Sequence, residues 1–298
     1  MAAINEIKSH FKAFVKRFFP QSIKRSLILS YMKKQSVERR KVKTQLGFEV
    51  SVCDHCNLDC LGCEHFSPIA CEKYLDVEKY EKDCSRLASL VDGKMEWIHL
   101  MGGEPLLHPQ LCEILDITRK YFKEGSIELV SNGILLQKQS EIFWKKCCEN
   151  NIKIAVTQYP IKLDYAAIEK IAKKYNVEFR YYFLGHKTMH KRPLDISGKQ
   201  SIKYNYEHCH MINTCVQFIN GRLYTCIMIA YIEYFNKQFN KNLTVSENDS
   251  IDIYNVKTKE EIFNFLAKPV SFCKYCNIKN TVFGLEWGVS KKDISEWT

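Results

Sequence analysis

From Gly47 onward the apolar positions switch repeatedly between a period of two and a period near 3.6, and the two periods alternate along the chain. Residues 47–53, GFEVSVC, read as a strand. Residues 76–91 follow as a helix, with Val77, Tyr80, Cys84, Leu87 and Val91 on its inner face. Residues 95–101 are the next strand, and Pro109 then opens a helix at the position proline tolerates best, followed by Leu111, Ile114, Leu115, Thr118, Tyr121 and Phe122 at helical spacing. A strand over 126–130 is closed by Ser131, Asn132 and Gly133, and a helix follows around 141–150. The strand 153–157 ends at Thr157, Gln158 and Tyr159, and a helix over 165–175 and a strand over 177–183 complete at least five β/α steps. Parallel strands need crossover helices of this kind, so the pattern predicts an α/β fold, a barrel or open half-barrel. Barrels collect their ligands at the carboxyl ends of strands, which places Cys56, Glu104, Asn132 and Gln158 at one mouth.

The pattern also divides the chain of 298 residues into a basic helical arm (1–45), the partial barrel (46–200) and a smaller last part (201–298). Within the arm, Ile4, Ile7, Phe11, Phe14, Val15, Phe18 and Phe19 form one helical stripe with lysines opposite, and Pro20 ends it. The formal charge of +10 comes from this arm: it holds twelve Lys and Arg against Glu6 and Glu38, and the rest of the chain is balanced. No basic surface for nucleic acid is therefore expected on the barrel. The arm suits packing across the enzyme body, a peripheral membrane contact or an acidic partner. The polar connection 184–203 carries Lys187, His190, Lys191 and Arg192, read either as a solvated loop or as a face for an anionic substrate.

Fourteen cysteines without a signal-peptide pattern, and without an apolar run long enough to span a bilayer, point to reduced thiols in the cytoplasm. Cys71, Cys84, Cys112, Cys147 and Cys148 read as small core or helix residues. Cys56, Cys60 and Cys63 instead form a C-x3-C-x2-C triplet just after the first strand, a spacing that suggests a loop around one iron-sulfur cluster with one iron left open. A zinc ribbon needs two cysteine pairs set farther apart, so zinc is the lesser alternative. The ferredoxin run has a different order and ends in proline, whereas Glu64 follows here.

A second thiol group lies in the last part. Asn220-Gly221 is a strong hairpin signal, and counting outward pairs Ile219 with Arg222, Val216 with Thr225 and Cys215 with Cys226. Cys273 and Cys276 form a C-x2-C pair able to reach back, giving Cys215, Cys226, Cys273 and Cys276 as a candidate set; Cys209 competes with Cys215, and the register favours Cys215. Four thiolates also suit zinc, and spacing alone leaves that open.

CNLDCLGC, followed by MGGEP at 101–105, resembles the radical S-adenosylmethionine (radical SAM) superfamily. The resemblance implies a partial (β/α)6-type barrel, a 4Fe-4S cluster on Cys56, Cys60 and Cys63, S-adenosylmethionine (SAM) on the open iron, and a 5'-deoxyadenosyl radical that abstracts hydrogen from substrate. Gly102 and Gly103 would let backbone come close to a ligand, and Glu104 would accept from an amino group. By the same resemblance Asn132 and Thr157 or Gln158 lie where members touch SAM or substrate. The position before the third cysteine, aromatic in the family, is Gly62, which leaves Phe66 or His65 to hold the adenine. The last part resembles the auxiliary-cluster appendages called SPASM or twitch domains, in a short form with a second 4Fe-4S cluster. The residues 284–297, GLEWGVSKKDISEW, resemble radical SAM proteins encoded among bacterial surface-polysaccharide genes. The expected function is a radical SAM oxidoreductase that dehydrogenates or epimerises a small polar, anionic substrate such as a carbohydrate or sugar nucleotide, served by an electron donor such as flavodoxin or ferredoxin. The competing expectations are a maturase that modifies a ribosomal peptide and a non-catalytic metal-binding scaffold.

Overall fold

The computed structural model describes residues 45–298, together with Ser26, Ser30, Lys33, Lys34 and Val37, which are helical and exposed. The amphipathic stripe expected over 4–19 lies outside the described residues. The alternation read from the sequence resolves into strands β1 (Leu46–Cys53), β2 (Lys94–Gly102), β3 (Glu124–Ser131), β4 (Ile152–Thr157) and β5 (Phe179–Phe183). Helices α1 (Val77–Val91), α2 (Leu111–Tyr121), α3 (Glu141–Glu149) and α4 (Tyr165–Lys174) fill the four crossovers. Side chains close the exposed amides at three helix starts: Asp76 accepts from Lys79 N, Ser140 from Phe143 N and Asp164 from Ala167 N. Pro109 stands before α2 rather than in its first turn, because Gln110 is the residue that caps that helix.

All four neighbouring pairs from β1 to β5 are parallel. The outer face of this sheet carries Phe48, Val50, Val52, Ile98, Leu100, Ile127, Leu129, Ile154 and Val156, packed with Leu87, Ile114, Leu115, Phe143, Trp144 and Ile168 from the helices in one core. Each fully buried side chain of this size contributes about 1.5 to 3 kcal/mol, which is what holds the helices on the sheet.

The inner face is polar. Glu49, His99 and Glu128 are register partners on β1, β2 and β3. The His99 ring nitrogens lie 3.7 Å from Glu49 and 3.6 Å from Glu128, and Arg180 of β5 pairs with Glu128 from the other side.

After β5 the chain leaves this sheet. Strand β6 (Thr188–Lys191) pairs antiparallel with β10 (Val282–Glu286). A hairpin of β7 (Gln217–Ile219) and β8 (Arg222–Tyr224) returns to the open side of β1 through the parallel pair Glu49–Gln217, and β9 (Ser250–Asp252) adds to β8. The eight-stranded order is β5-β4-β3-β2-β1-β7-β8-β9. The sheet is thus an open one among the described residues, and a sixth barrel strand in the β/α series is not among them. The hairpin has the expected register, Ile219 opposite Arg222 and Gln217 opposite Tyr224. Asn220 and Gly221 both take positive φ, 52° and 74°, as a type I' turn requires.

The last part contributes to two cores. Val216, Phe218, Leu223, Ile253 and Phe263 join the core under the parallel sheet. Helix α6 (Ile227–Phe239), which follows α5 (Ile202–His208) and precedes α7 (Lys259–Leu266), builds a second core with Phe66, Leu194, Phe272, Tyr275 and Trp297. Among the described residues no helix is long and apolar enough to cross a membrane.

Candidate functional site

The cysteine loop leaves the carboxyl end of β1 and lies across the ends of β2, β3 and β4. Its entry is fixed by backbone: Gly103 N donates to Cys53 O at 2.6 Å and Glu104 N to His55 O at 3.1 Å. Here Gly102 and Gly103 also let backbone approach backbone. A Cβ on Gly102, whose φ is +128°, would overlap the Cys53 carbonyl and Ser51 Oγ, and one on Gly103 would overlap the His55 carbonyl. The glycines let the end of β2 touch the backbone of the cysteine loop, which is what sets the loop's height above the sheet.

Glu104 is fully buried at this junction. One carboxylate oxygen accepts from Leu106 N (3.1 Å) and Ser131 Oγ (2.8 Å), and the other accepts from Asn132 N (2.9 Å). Burial pushes its carboxyl up to about 7, against the pull of those three donors. A carboxylate has about four acceptor positions, so one remains for a further donor. Asn132 ties the end of β3 to the loop, its amide donating to Asn57 Oδ1 at 2.8 Å and lying 3.7 Å from Cys56 Sγ.

Cys56, Cys60 and Cys63 share one space. Burial pushes the Cys56 thiol far up, the Glu104 charge adds to that, and ionisation of Cys63 or Cys60 would raise it further. Donors from distant segments oppose this. Leu58 N points at Cys56 Sγ at 3.4 Å, and the Trp287 indole N–H donates to Cys60 Sγ at 3.3 Å. Burial pushes Cys60 up to about 11, with the Trp287 and Tyr159 hydrogen bonds pulling down. For Cys63 burial is outweighed by the hydrogen bond and charge of His65, and the thiol is held below its ordinary range. Among the described residues no set of three or more His, Cys, Asp or Glu side chains converges as the ligands of one metal ion do. The fit to a cluster therefore rests on this chemistry: three soft sulfurs whose charges act on one another, with N–H and O–H donors aimed at two of them, beside a buried carboxyl that pairs with no cation among the described residues.

Other expected contacts are used for building the loop and its surroundings. Phe66 has 0% exposure and packs against Phe235 and Trp297, so its ring is a core ring with no face left for a base. Gln158 Oε1 accepts from Gly185 N at 2.8 Å, which fastens the turn after β5. Thr157 is buried at the end of β4. Tyr159, the next residue but one, is the member of that strand end that reaches the sulfurs, through its hydroxyl and Cys60.

The segment 287–298 lies along the cysteine loop, an arrangement nothing in the local sequence pattern announces. Leu61 N donates to Gly288 O (2.8 Å), Ser290 N to Asp59 O (2.9 Å) and the Trp297 indole to Cys63 O (2.9 Å). Glu296 accepts from Gly62 N at 3.4 Å. Lys191 is held by the carbonyls of Ser295 and Thr298.

The second thiol group surrounds a small cavity lined by Cys209, Cys226, Cys273 and Cys276, with Ile212, Ile229, Phe272 and Ile278 as its apolar wall. Cys209 follows the end of α5, and Asn205 of that helix donates to the carbonyls of both Cys273 and Cys276. This brings α5, and Cys209 with it, onto the C-x2-C turn. Cys215 stands opposite Cys226 as the hairpin register requires, but it is absent from the cavity wall. Its thiol hydrogen-bonds to Cys226 and points to Met211 O at 3.7 Å. The hydrogen bond from Cys215, and then the Arg192 charge, make Cys226 the easier of the two to ionise against the opposing effect of burial. Arg192 does not face the mouth as a substrate-binding cation: its side chain is 2% exposed and pairs with Glu64.

No protein-family model matches the chain. Among curated proteins it is 30% identical over 92 residues to the GTP 3',8-cyclase of Nautilia profundicola, a stretch covering 31% of this chain and 29% of that protein. It is 33% identical over 105 residues to the GTP 3',8-cyclase of Synechocystis sp., covering 35% and 30% respectively. The match thus spans less than a third of those relatives. Among solved structures, BtrN in complex with AdoMet and 2-DOIA aligns over 79% of this chain and 94% of its own at 18% identity and a TM-score of 0.48. Native anSMEcpe with bound AdoMet aligns over 80% and 84% at 15% identity and a TM-score of 0.47.

Proposed function

We propose that this chain is a member of the radical SAM superfamily and an enzyme that removes a hydrogen atom from a small polar substrate, of the carbohydrate or sugar-nucleotide class. The observation that carries the reading is the convergence of Asn132, Tyr159 and Trp287 on the sulfurs of Cys56 and Cys60, from three separate segments. In this reading Cys56, Cys60 and Cys63 hold a 4Fe-4S cluster, and the free acceptor position of Glu104 receives the amino group of SAM. That pair, when bound, supplies a 5'-deoxyadenosyl radical.

The rest is done by the chain's own residues. Gly102 and Gly103 set the loop height, Asn132 braces the loop from β3, and Tyr159 and Trp287 donate hydrogen bonds to the Cys60 sulfur that would favour it as a metal-bound thiolate against the opposing effect of burial. The substrate class is supported by the inner face of the sheet, where Gln217, Glu49, His99, Glu128 and Arg180 offer hydrogen-bonding groups in a row suited to hydroxyls. The curated relatives are named for GTP, itself a small polar molecule. We take Cys209, Cys226, Cys273 and Cys276 as ligands of a second 4Fe-4S cluster, with Cys215 as a neighbour that hydrogen-bonds to Cys226. A flavodoxin or ferredoxin would serve as electron donor.

Anaerobic reconstitution followed by dithionite and SAM should yield 5'-deoxyadenosine, with yield rising in the presence of the right sugar nucleotide. No 5'-deoxyadenosine from an iron-loaded protein would leave the scaffold reading standing. Iron analysis separates the thiol assignments: Cys209→Ala should lose about four irons while Cys215→Ala keeps them, and zinc in place of iron at that site would refute the second cluster.

A further inference from the structure

We propose that Arg192 is a positioning residue for the second cluster, holding that site against the first cysteine loop and raising the second cluster's reduction potential. The proposal rests on the preceding reading that Cys209, Cys226, Cys273 and Cys276 bind a cluster. Its starting point is where the five donors of one guanidinium go. Nε and Nη2 grip Glu64 in a fork, at 2.7 Å to Oε1 and 2.6 Å to Oε2. Nη1 turns the other way and lies 3.8 Å from both Cys209 Sγ and Cys226 Sγ. Glu64 directly follows Cys63. One buried cation therefore touches the first loop with one edge and two thiols of the second site with the other.

A structural ion pair alone accounts for the fork and not for the third nitrogen. A neutral thiol is a poor acceptor, whereas a thiolate is a good partner for a guanidinium. The aim of Nη1 at two sulfurs therefore fits a site whose sulfurs are ionised, as metal-bound sulfurs are. Among the described residues Arg192 is the one cation in the cavity wall, set among isoleucines and Phe272. Each electron taken up by a cluster there adds a negative charge in a poorly screened place, and a fixed positive charge at this distance favours that state. The fork to Glu64 keeps the guanidinium from swinging away, so the effect depends on both residues.

The test is an EPR-monitored redox titration of the reconstituted holoprotein in wild type, Arg192→Lys and the double variant Arg192→Met, Glu64→Gln. The double variant removes the cation without stranding the buried carboxylate that Arg192→Met alone would leave unpaired. Its second-cluster midpoint should fall, because the guanidinium touches the sulfurs and the Glu64 charge removed with it does not; a fall of about a factor of ten in the reduction equilibrium would read as about 59 mV for a one-electron couple. The first-cluster midpoint should not fall. Arg192→Lys, which keeps the charge and loses the fork, should fall by less. Loss of second-site iron from the double variant with an unchanged melting curve supports the positioning half of the proposal. A second-cluster midpoint that stays put or rises at full iron content overturns it. A wild-type protein with a single cluster signal overturns the cluster reading and this proposal with it, which iron counting on Cys209→Ala shows independently.

Discussion

Replacing Glu104 by Gln tests the junction on which the proposed SAM site is built. Burial lifts the Glu104 carboxyl from its ordinary 4.5 to about 7, because three hydrogen bonds only partly replace water around a charge with no cation beside it. The folded chain therefore holds a proton on Glu104 that the unfolded chain has released between pH 4.5 and about 7, and in that window stability falls as pH rises. The favourable contribution is complete below pH 4.5 and is lost as pH passes through about 7. At roughly 1.4 kcal/mol per pH unit the loss amounts to about 3 kcal/mol. Glutamine mimics the protonated acid and does not titrate. Urea unfolding of the cluster-free chain, under reducing conditions from below pH 5 to above pH 8, should show the wild type losing about 3 kcal/mol relative to Glu104→Gln. Taking the difference between the two proteins cancels the other titrating groups. Parallel stability curves across the whole range would refute the reasoning, since they would mean the carboxylate is already solvated or neutralised. A SAM analogue with a free amino group should reduce the wild-type loss, because an ammonium would fill the acceptor position left on Glu104.

Trp287→Phe keeps an aromatic ring and removes the N–H aimed at Cys60, a hydrogen bond to a charged group worth about 1.5 to 3 kcal/mol; the first-cluster midpoint should fall in a redox titration, with the iron content of the second site unchanged. Gly103→Ala puts a methyl into the His55 carbonyl, so it should cost about 1 to 3 kcal/mol by overpacking and lower iron at the first site in reconstitution assays. Phe66→Ala should behave as a core truncation, losing about 3 to 5 kcal/mol in thermal or urea unfolding. A Phe66→Ala protein of normal stability that binds SAM poorly would show instead that the ring touches the adenine.

The features legible in the sequence are those whose cause is local. Each strand and helix from β1 to β5 follows from the period of its own apolar residues, and the ends lie within a few positions of expectation because Asp76, Ser140 and Asp164 cap the helices where the pattern starts. The Asn220-Gly221 turn fixes its register by backbone conformation alone, so that too was readable. Cys215 shows where local reasoning stops. The register places it opposite Cys226, as expected, yet the cavity belongs to Cys209, which is carried there by Asn205 binding the carbonyls of a turn about 70 residues away. Gly102 and Gly103 were recognisable as sites of close approach, and among the described residues what they approach is the backbone of the cysteine loop. Arg192 reads as a surface cation because its neighbours in sequence are basic and polar; only the meeting of Glu64 with the second thiol site explains its burial. The sixth strand departs for a comparable reason: β6 finds its partner in β10, a segment with no periodic link to the β/α series.

The hold of the segment 287–298 on the first loop bears on how such a site can exist before metal arrives. Within the loop the backbone supplies few bonds of its own: Cys60 N to Leu58 O, Cys63 N to Cys60 O and Phe66 N to Cys63 O. Those close short turns and do not fix the turns relative to one another. The fixing comes from outside, from Gly103 at the end of β2, Asn132 at the end of β3, Tyr159 after β4, and the strap from Trp287 to Trp297. Three of these anchors belong to the parallel sheet and form as its strands align. The fourth meets the loop across more than 220 positions of sequence, so its closure costs the most chain entropy. The same strap carries Trp297 into the second core beside Phe66 and Phe235, and Leu194 N, two residues after the Arg192 that reaches the other thiol site, donates to Trp297 O. Packing of the second core and placement of the first three sulfurs are therefore coupled, and a mutation confined to that core would be felt at a cysteine loop it does not touch.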